Sequence, residues 1–543
     1  VWRDGEIETV TELPCKRNPA IALDEEGRQH VLWHSDIVED LFGGLAQEDV
    51  LYESIRLEGG WSTPAIVALP EQPGDFGMTA DAEGLLHLAW IAGGDSGAAI
   101  HHALQRQYEC DATVLSGVER TMYQVARDGG YRPQDDVIPF CQNRYEMMVF
   151  TPNPDPAFSE RPPTTNGGYD DYADLVKTAG YEVLFVTMAY KDAKNHDSSG
   201  AVFADAVADL YQQLKEEPDR YPRGLLVRIL LGNSPPISSL ELDSQLWLVL
   251  KDLQEAGIDK MVDPDIGWKL EVANYSGAWP HSHVKTMVID GRTVVASGFN
   301  HEYKPLPKDH PSGQGLGDAD VGIVMTGPVA QHTRRIYDEI WEGAVQRHCP
   351  DLTVNRSLWR LTCRDSRGVP THVPEVVRYY PTSDDAVVFS MFRNKEYDEA
   401  DQQIIKAFAS ASDSIEIAQA MFSMPLVCNL NYFYEVCSFD QALPYLESLM
   451  TAAENGARIS VLLMPYPIQS VENVIAMEVF SKEARSRGLE DRVELRFFDD
   501  LLHAKNALID DSFLIVGSQN LHHSAFGLGK GLAEYSLGTS DPA

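Results

Sequence analysis

The sequence predicts an α/β protein made of two similar repeats, preceded by a small all-β module. Three observations carry that reading. The string HVKTMVID at 283–290 returns as HAKNALID at 503–510, an interval of 220 residues. The elements leading to each copy come in the same order. Near the N-terminus, residues 18–33 and 75–90 share a different pattern, D-x-x-G-x-x-H-x-x-W, at a period of 57.

In the N-terminal pattern Asp24, Gly27, His30 and Trp33 match Asp81, Gly84, His87 and Trp90. An Asp-to-Gly turn between alternating runs is a hairpin signal. A repeat of this length suggests propeller-like blades and resembles those of sialidase-type β-propellers. Two blades do not close a propeller, so residues 1–110 are expected to form a small antiparallel module. Its His and Trp residues read as core and turn elements.

From there the texture is α/β, over a first half at 111–360 and a second at 382–543. In the first, a helical stretch at 169–179 leads to the strand EVLFVTMAY (182–190). In the second, DQQIIKAFASA (401–411) leads to SIEIAQAMF (414–422). Next come GAVFADAVADLYQQL (200–214) and QALPYLESLMTAAENG (441–456), both with helical apolar spacing. Each precedes a run with the look of a buried strand, GLLVRILLG (224–232) and GARISVLLM (456–464). The Pro- and Arg-containing stretch at 361–381 reads as the connector.

The composition limits the partners. Hydrophobic residues make up 44% and charged residues 23% of 543, ordinary for a globular chain. The net charge of −38 is not ordinary. It repels nucleic acid phosphates unless basic groups cluster locally, and no long basic run exists. Stable nucleic acid binding is therefore not expected. No stretch reaches about 18 consecutive apolar residues, so no membrane-spanning helix is expected, and no signal-peptide pattern is read. None of the seven cysteines forms C-x-x-C, against a zinc ribbon or redox pair. Cys349 with Cys363, and Cys428 with Cys437, are spaced for local disulfides, with buried thiols as the alternative. Disulfides would imply an oxidising, extracytoplasmic setting. NYS at 274–276 and NRS at 355–357 fit glycosylation acceptors.

Both long motifs read H-x-K-x4-D. On a strand, residues two apart share a face. His283 and Lys285 would point one way, and His503 with Lys505 likewise. Each motif is followed by a turn, a return strand and an asparagine: SGFN ends at Asn300 and GSQN at Asn520. Brought together, the halves offer two imidazoles, two ammonium groups and two carboxamides. That set suits an anion, most naturally a phosphate diester. One neutral imidazole can attack phosphorus while the other protonates the leaving oxygen. The lysines and asparagines would stabilise charge developing on the equatorial oxygens. No metal or other cofactor is required, because the lysines supply the positive charge. His281 with His283 could ligate zinc, but Lys285 beside them argues against a cation. The Gly-rich GLGKG (527–531) lacks the strand-to-helix context of a dinucleotide loop. Asp320 and Glu534 each stand eight residues before a proline, at matching places. They are expected to accept the second ring N–H of each histidine. Asp290 and Asp510 read as structural turn residues.

Two H-x-K-x4-D motifs with G-S-x-N tails resemble the phospholipase D superfamily, over roughly residues 133–543. HSHVKTMVIDGRTVVASGFN and VVFSMFRNKEYDEADQQIIKAFASASDSIEIAQ look especially like secreted bacterial phospholipases D. The resemblance implies a pseudo-dimeric phospholipase D fold of two α/β repeats with the site at their interface. It implies a phosphohistidine on His283, with His503 as general acid and then base. Lys285, Lys505, Asn300 and Asn520 would bind phosphate, with Ser518 and Gly298 at the same subsite. The first tail departs from the pattern, reading Ser297-Gly298, and the second orienting acid is Glu534 rather than Asp. MFSMPLVCNLNYFYEVCSF (421–439) is rich in large apolar side chains, suited to an acyl groove or a bilayer, or to core packing. The expected function is hydrolysis of phospholipids at a membrane surface or micelle, with alcohols competing for the intermediate. A metal-independent nuclease of the same superfamily and an inactive binding protein are the alternatives.

Overall fold

The computed structural model describes residues 2–3, 6–7, 10, 15, 19–24, 27–57, 60–68, 75–81, 86–94, 97–105, 112–115, 117–129, 138–156, 161–191, 197–233, 244–276, 281–369, 376–378, 386–431, 437–465, 469–527 and 531–540. Two large mixed sheets dominate it. We number their strands together in chain order. The first contains β1 (Arg144–Thr151), β2 (Glu182–Thr187), β3 (Leu225–Leu231), β4 (Trp268–Asn274), β5 (Thr286–Ile289), β6 (Thr293–Ser297) and β7 (Asp320–Thr326). The second contains β8 (Val388–Arg393), β9 (Ser414–Gln419), β10 (Arg458–Leu463), β11 (Val493–Phe497), β12 (Lys505–Ile509), β13 (Phe513–Gly517) and β14 (Glu534–Thr539).

The strand orders match. The first sheet runs β1-β7-β6-β5-β2-β3-β4 and the second β8-β14-β13-β12-β9-β10-β11. The senses match too: β2-β3-β4 and β9-β10-β11 are parallel, and the other pairings are antiparallel. Parallel strands require crossovers; the helical stretches read at 200–214 and 441–456 supply one in each half, and helices at Ser244–Glu255 and Gln469–Ser486, which the sequence reading did not name, supply the other. Around the first sheet lie α2 (Gly168–Val176), α3 (Ser199–Glu216), α4 (Ser244–Glu255) and α5 (Pro328–Trp341), and around the second α6 (Glu399–Ser410), α7 (Leu426–Asn431), α8 (Pro444–Glu454) and α9 (Gln469–Ser486); an earlier helix, α1, spans Gly117–Gly129. The Ser198 hydroxyl caps α3 by accepting from the Ala201 N–H. β2 and β3 are buried along their whole length, as strands covered on both faces must be.

Each sheet has its own core, and a third core joins them. Leu184, Val288 and Ile323 from the first sheet pack with Val388, Val516, Tyr535 and Leu537 from the second. Burying each such side chain contributes about 1.5–3 kcal/mol, so the shared core holds the two sheets as one body. The Thr333 hydroxyl meets the Tyr535 hydroxyl across it. Two local features differ from the sequence reading. α1 lies within the span expected for the first half, yet its Val118 and Met122 pack with Phe389, Ile404 and Phe408 of the second. The connector is not a bare linker: Arg364–Arg367 extends the first sheet, and Val376–Arg378 runs parallel to Ala65–Ala68 of the N-terminal region.

The described N-terminal strands form three sheets: a two-stranded one of Trp2–Arg3 and Glu6–Ile7, one centred on Gln29–Glu39 and Leu45–Leu57, and one of Phe76–Ala80, Leu86–Gly94 and Gly97–Gln105. The repeated His is a turn lock. His30 is fully buried, with Nδ1 2.6 Å from Glu53 and Nε2 3.1 Å from Asp24. His87 repeats this with Asp81 at 3.0 Å and His102 at 2.9 Å. Trp33 and Trp90 are buried; Gly84 lies outside the described residues. Cys349–Cys363 and Cys428–Cys437 are disulfide-bonded. Asn274 is buried on β4, against its reading as a glycosylation site. Among the described residues no helix is long and apolar enough to cross a membrane.

Candidate active site

The two H-x-K segments lie at the junction of the sheets. They are less strand-like than their spacing suggested, because β5 begins only at Thr286 and β12 at Lys505. Each lead-in is tied instead to the opposite half. The His283 N–H donates to the Ala533 carbonyl at 2.8 Å, and the His503 N–H to the Ala319 carbonyl, also at 2.8 Å. Ser282 bridges Ala533, and Leu502 bridges Ala319, both in parallel sense.

The carboxylates cross over in the same way. His283 Nδ1 lies 2.9 Å from Glu534, which opens β14 of the second half. His503 Nδ1 lies 2.7 Å from Asp320, which opens β7 of the first. The contact is reciprocal, as across a two-fold axis. Both carboxylates are buried, at 2% exposure for Asp320 and 0% for Glu534.

The lysines stand beside the imidazoles. Lys285 Nζ donates to the His283 carbonyl at 2.9 Å. Lys505 Nζ lies 2.9 Å from His503 Nδ1 and 3.8 Å from Asp320. Among the described residues the carboxamide oxygens of Asn300 and Asn520 are buried without a partner, while the Asn300 carbonyl accepts from the Tyr169 hydroxyl at 2.5 Å.

The titrations follow from crowding cations in a dry place. Burial pushes His283 down to about 4; Glu534 opposes this and Lys285 adds to it. Burial and the Lys505 ammonium bring Lys285 down to about 7. Lys505 is lowered by burial, against the pull of Asp320. His503 is held well below its ordinary range by burial and by Lys505 and Lys285. The two acids differ. Burial raises Asp320 to about 7, whereas burial of Glu534 is outweighed by His283 and Lys285, and its carboxyl stays low. An ionised Glu534 only accepts, so His283 carries its proton on Nδ1 and keeps a lone pair on Nε2. The arrangement offers an unprotonated nucleophile, a second imidazole and two cations in one buried junction.

Residues 404–535, which include the second H-x-K motif, match the family described as cardiolipin synthase, PLD-like domain. The chain is thus similar to that family over those residues. No curated protein matches it. Among solved structures the chain is similar to the phosphatidylserine synthase of Haemophilus influenzae Rd KW20, at 14% identity over 78% of this chain and 87% of that one, with a TM-score of 0.49. It is also similar to Nuc of Salmonella typhimurium, a phospholipase D family member, at 11% identity over 42% of this chain and 99% of that one, with a TM-score of 0.24.

Not every residue expected in the site faces it. Ser518, expected at the phosphate, is fully buried and donates its hydroxyl to Glu534; it braces the acid. Gly298 also serves the acid: a Cβ there would lie 2.1 Å from Asp320 Oδ1, so only glycine lets that carboxylate through. Ser297, its neighbour, accepts from Tyr172 at 2.9 Å. Asp290 and Asp510 are turn residues at φ +53° and +51°. Their carboxylates clamp the chain entering β2 and β9, Asp290 through the N–H groups of Gly180, Tyr181 and Glu182, Asp510 through those of Ser412, Asp413 and Ser414. One acid escaped the sequence reading. Asp318 is 2% exposed, with one carboxylate oxygen unpartnered among the described residues, and burial raises it to about 6 despite Lys505 and Lys304. Its spacing of two from Asp320 was the available signal.

Proposed function

We propose that the protein is a phospholipase D-type phosphodiesterase that acts on phospholipids through a phosphohistidine on His283. The reading rests above all on the crossed pairs, His283 with Glu534 and His503 with Asp320. The two α/β halves are then a pseudo-dimer, at 111–360 and 382–543, joined by 361–381 and preceded by the β module at 1–110. In the first step His283 Nε2 attacks phosphorus. The bond to the head-group oxygen breaks, and that oxygen takes a proton from His503. Lys285, Lys505, Asn300 and Asn520 hold the equatorial oxygens. An arriving phosphate anion offsets the two ammonium groups that depress His503, which lets it carry the proton it must give. In the second step water or an alcohol loses a proton to His503 and attacks phosphorus. The P–N bond breaks and His283 is restored.

Lipid is favoured over nucleic acid by the surface beside the site and by the charge. The segment 421–439 divides. Phe422, Met424 and Cys428 are core, residues 432–436 lie outside the described residues, and Leu426 and Val427 are 49% and 66% exposed. Val471 and Val474 on α9 are 50% and 44% exposed, and the Asn429 side chain on α7 bonds Glu472 between them. This apolar strip suits a membrane surface or micelle. The disulfides suit an extracytoplasmic place of work.

The test is phosphatidylcholine vesicles incubated with the protein in ethanol-containing buffer with EDTA. Free choline together with phosphatidylethanol is expected, and His283→Ala is expected to abolish both. Turnover in that variant, or loss of turnover with the chelator, would overturn the mechanism. Turnover of single-stranded oligonucleotides without choline release would overturn the lipid reading alone.

A further inference from the structure

Two residues beyond Asn520, the chain carries a second group of ligating side chains that the phosphodiester chemistry does not use. One ring nitrogen each of His522 and His523 and one carboxylate oxygen of Glu472 lie within 4.8 Å of one another. The two rings stand 3.9 Å apart, centre to centre. His522 Nε2 is 2.6 Å from Glu472, and its Nδ1 is 2.7 Å from the Ser524 hydroxyl. The His523 backbone N–H donates to the Ser423 hydroxyl at 3.0 Å, which fixes the backbone of the pair. His522 is 7% exposed.

The duplication shows that the scaffold does not need this group. At the 220-residue interval, His522 and His523 correspond to Glu302 and Tyr303, and the first half folds with those. Glu472 comes from the first turn of α9, whereas the histidines follow β13. Two separate elements thus converge with the His2Glu donor set that borderline divalent ions prefer and hard cations do not. Ser524 is placed to fix the orientation of His522, as outer partners of ligating imidazoles do.

We propose that Glu472, His522 and His523 form a divalent transition-metal site, of zinc type, that ties α9 to the segment carrying Asn520. Three protein donors leave a position for water. The ion has no part in the phosphoryl steps; it braces the edge of the site.

The test is calorimetric titration of chelator-treated full-length protein with zinc chloride, with calcium and magnesium chloride in parallel. One zinc per chain is expected, with calcium and magnesium far weaker. His523→Ala and Glu472→Gln should each weaken zinc by about tenfold or more, and Ser524→Ala by about 10–100-fold. Zinc should raise the thermal midpoint of the native chain and not that of His523→Ala. X-ray absorption at the zinc edge should show two imidazoles. His283→Ala should bind zinc as the native chain does. Zinc binding lost in His283→Ala and kept in His523→Ala would assign the ion to the catalytic histidines and overturn the proposal. So would no binding, or binding that both Glu472→Gln and His523→Ala leave intact.

Discussion

At the scale of single residues, the crossed carboxylates give the sharpest predictions. Glu534→Gln removes the carboxylate charge beside His283, and Asp320→Asn removes it beside His503. Each should lower kcat by about 10²–10⁴, although each lies in the other half from the histidine it damages. The acid limb of kcat/KM reports the free nucleophile and is expected near pH 4, where His283 gains a proton and loses its lone pair. The Glu534 carboxylate favours the imidazolium, so in Glu534→Gln that limb should move to lower pH; a pH–rate profile checks this. Gly298→Ala would drive a methyl group into Asp320 and should impair His503. Rapid-quench detection of phosphohistidine would then find the intermediate formed slowly and in reduced amount, with His283 itself intact. The sequence made the histidines, lysines and asparagines legible because a string of polar residues repeated at one interval has no packing explanation. It did not reveal that Ser518 and Gly298 serve the acids. That depends on which strand ends face each other across the junction, and no local pattern encodes it.

At the scale of elements, sequence periodicity located α2, α3, α6 and α8 and the buried strands beside them, since buried parallel strands and amphipathic helices write distinct patterns. It did not find α1, α4, α5 or α9. The N-terminal repeat was legible as turn chemistry. Its closure was not, since the strand at 376–378 that pairs with Ala65–Ala68 follows the whole first repeat in the chain. One buried element carries its own liability. His301, just after β6, is 2% exposed, ringed by Tyr169, Tyr172, Phe185 and Phe203, and among the described residues neither ring nitrogen has a partner. Burial lowers it to about 3. In the unfolded chain it takes up a proton below about pH 6.5, while the folded chain refuses one until about pH 3. Stability must therefore fall as pH drops through that window. His301→Leu should leave stability at pH 7–8 little changed or improved. At pH 4 it should gain about 1–3 kcal/mol over the native chain, measured by urea unfolding at both values.

At the scale of the whole molecule, two cores share a third, and each of the two carries a disulfide, Cys428–Cys437 in one and Cys349–Cys363 in the other. The Cys349–Cys363 bridge closes a separation of 14 residues. Replacing both cysteines with serine should cost about 3 kcal/mol, read as a lower urea midpoint with kcat unchanged, because neither lies near the histidines in the chain. The acidity belongs to this scale as well. A net charge of −38 loads the folded state with self-repulsion, and the buried sites escape it only by collecting lysines around the histidines.

Duplication usually leaves a spare: one copy works while the other drifts. Here it left none. Because Glu534 serves His283 and Asp320 serves His503, a lesion in either copy silences chemistry housed in its twin. Selection therefore sees the two halves as a single hereditary unit, and neither can wander into a new trade while its sibling keeps the old one. The freedom to diverge lies where the exchange does not reach, in places such as the pair of positions where one repeat carries Glu302 and Tyr303 and the other two histidines.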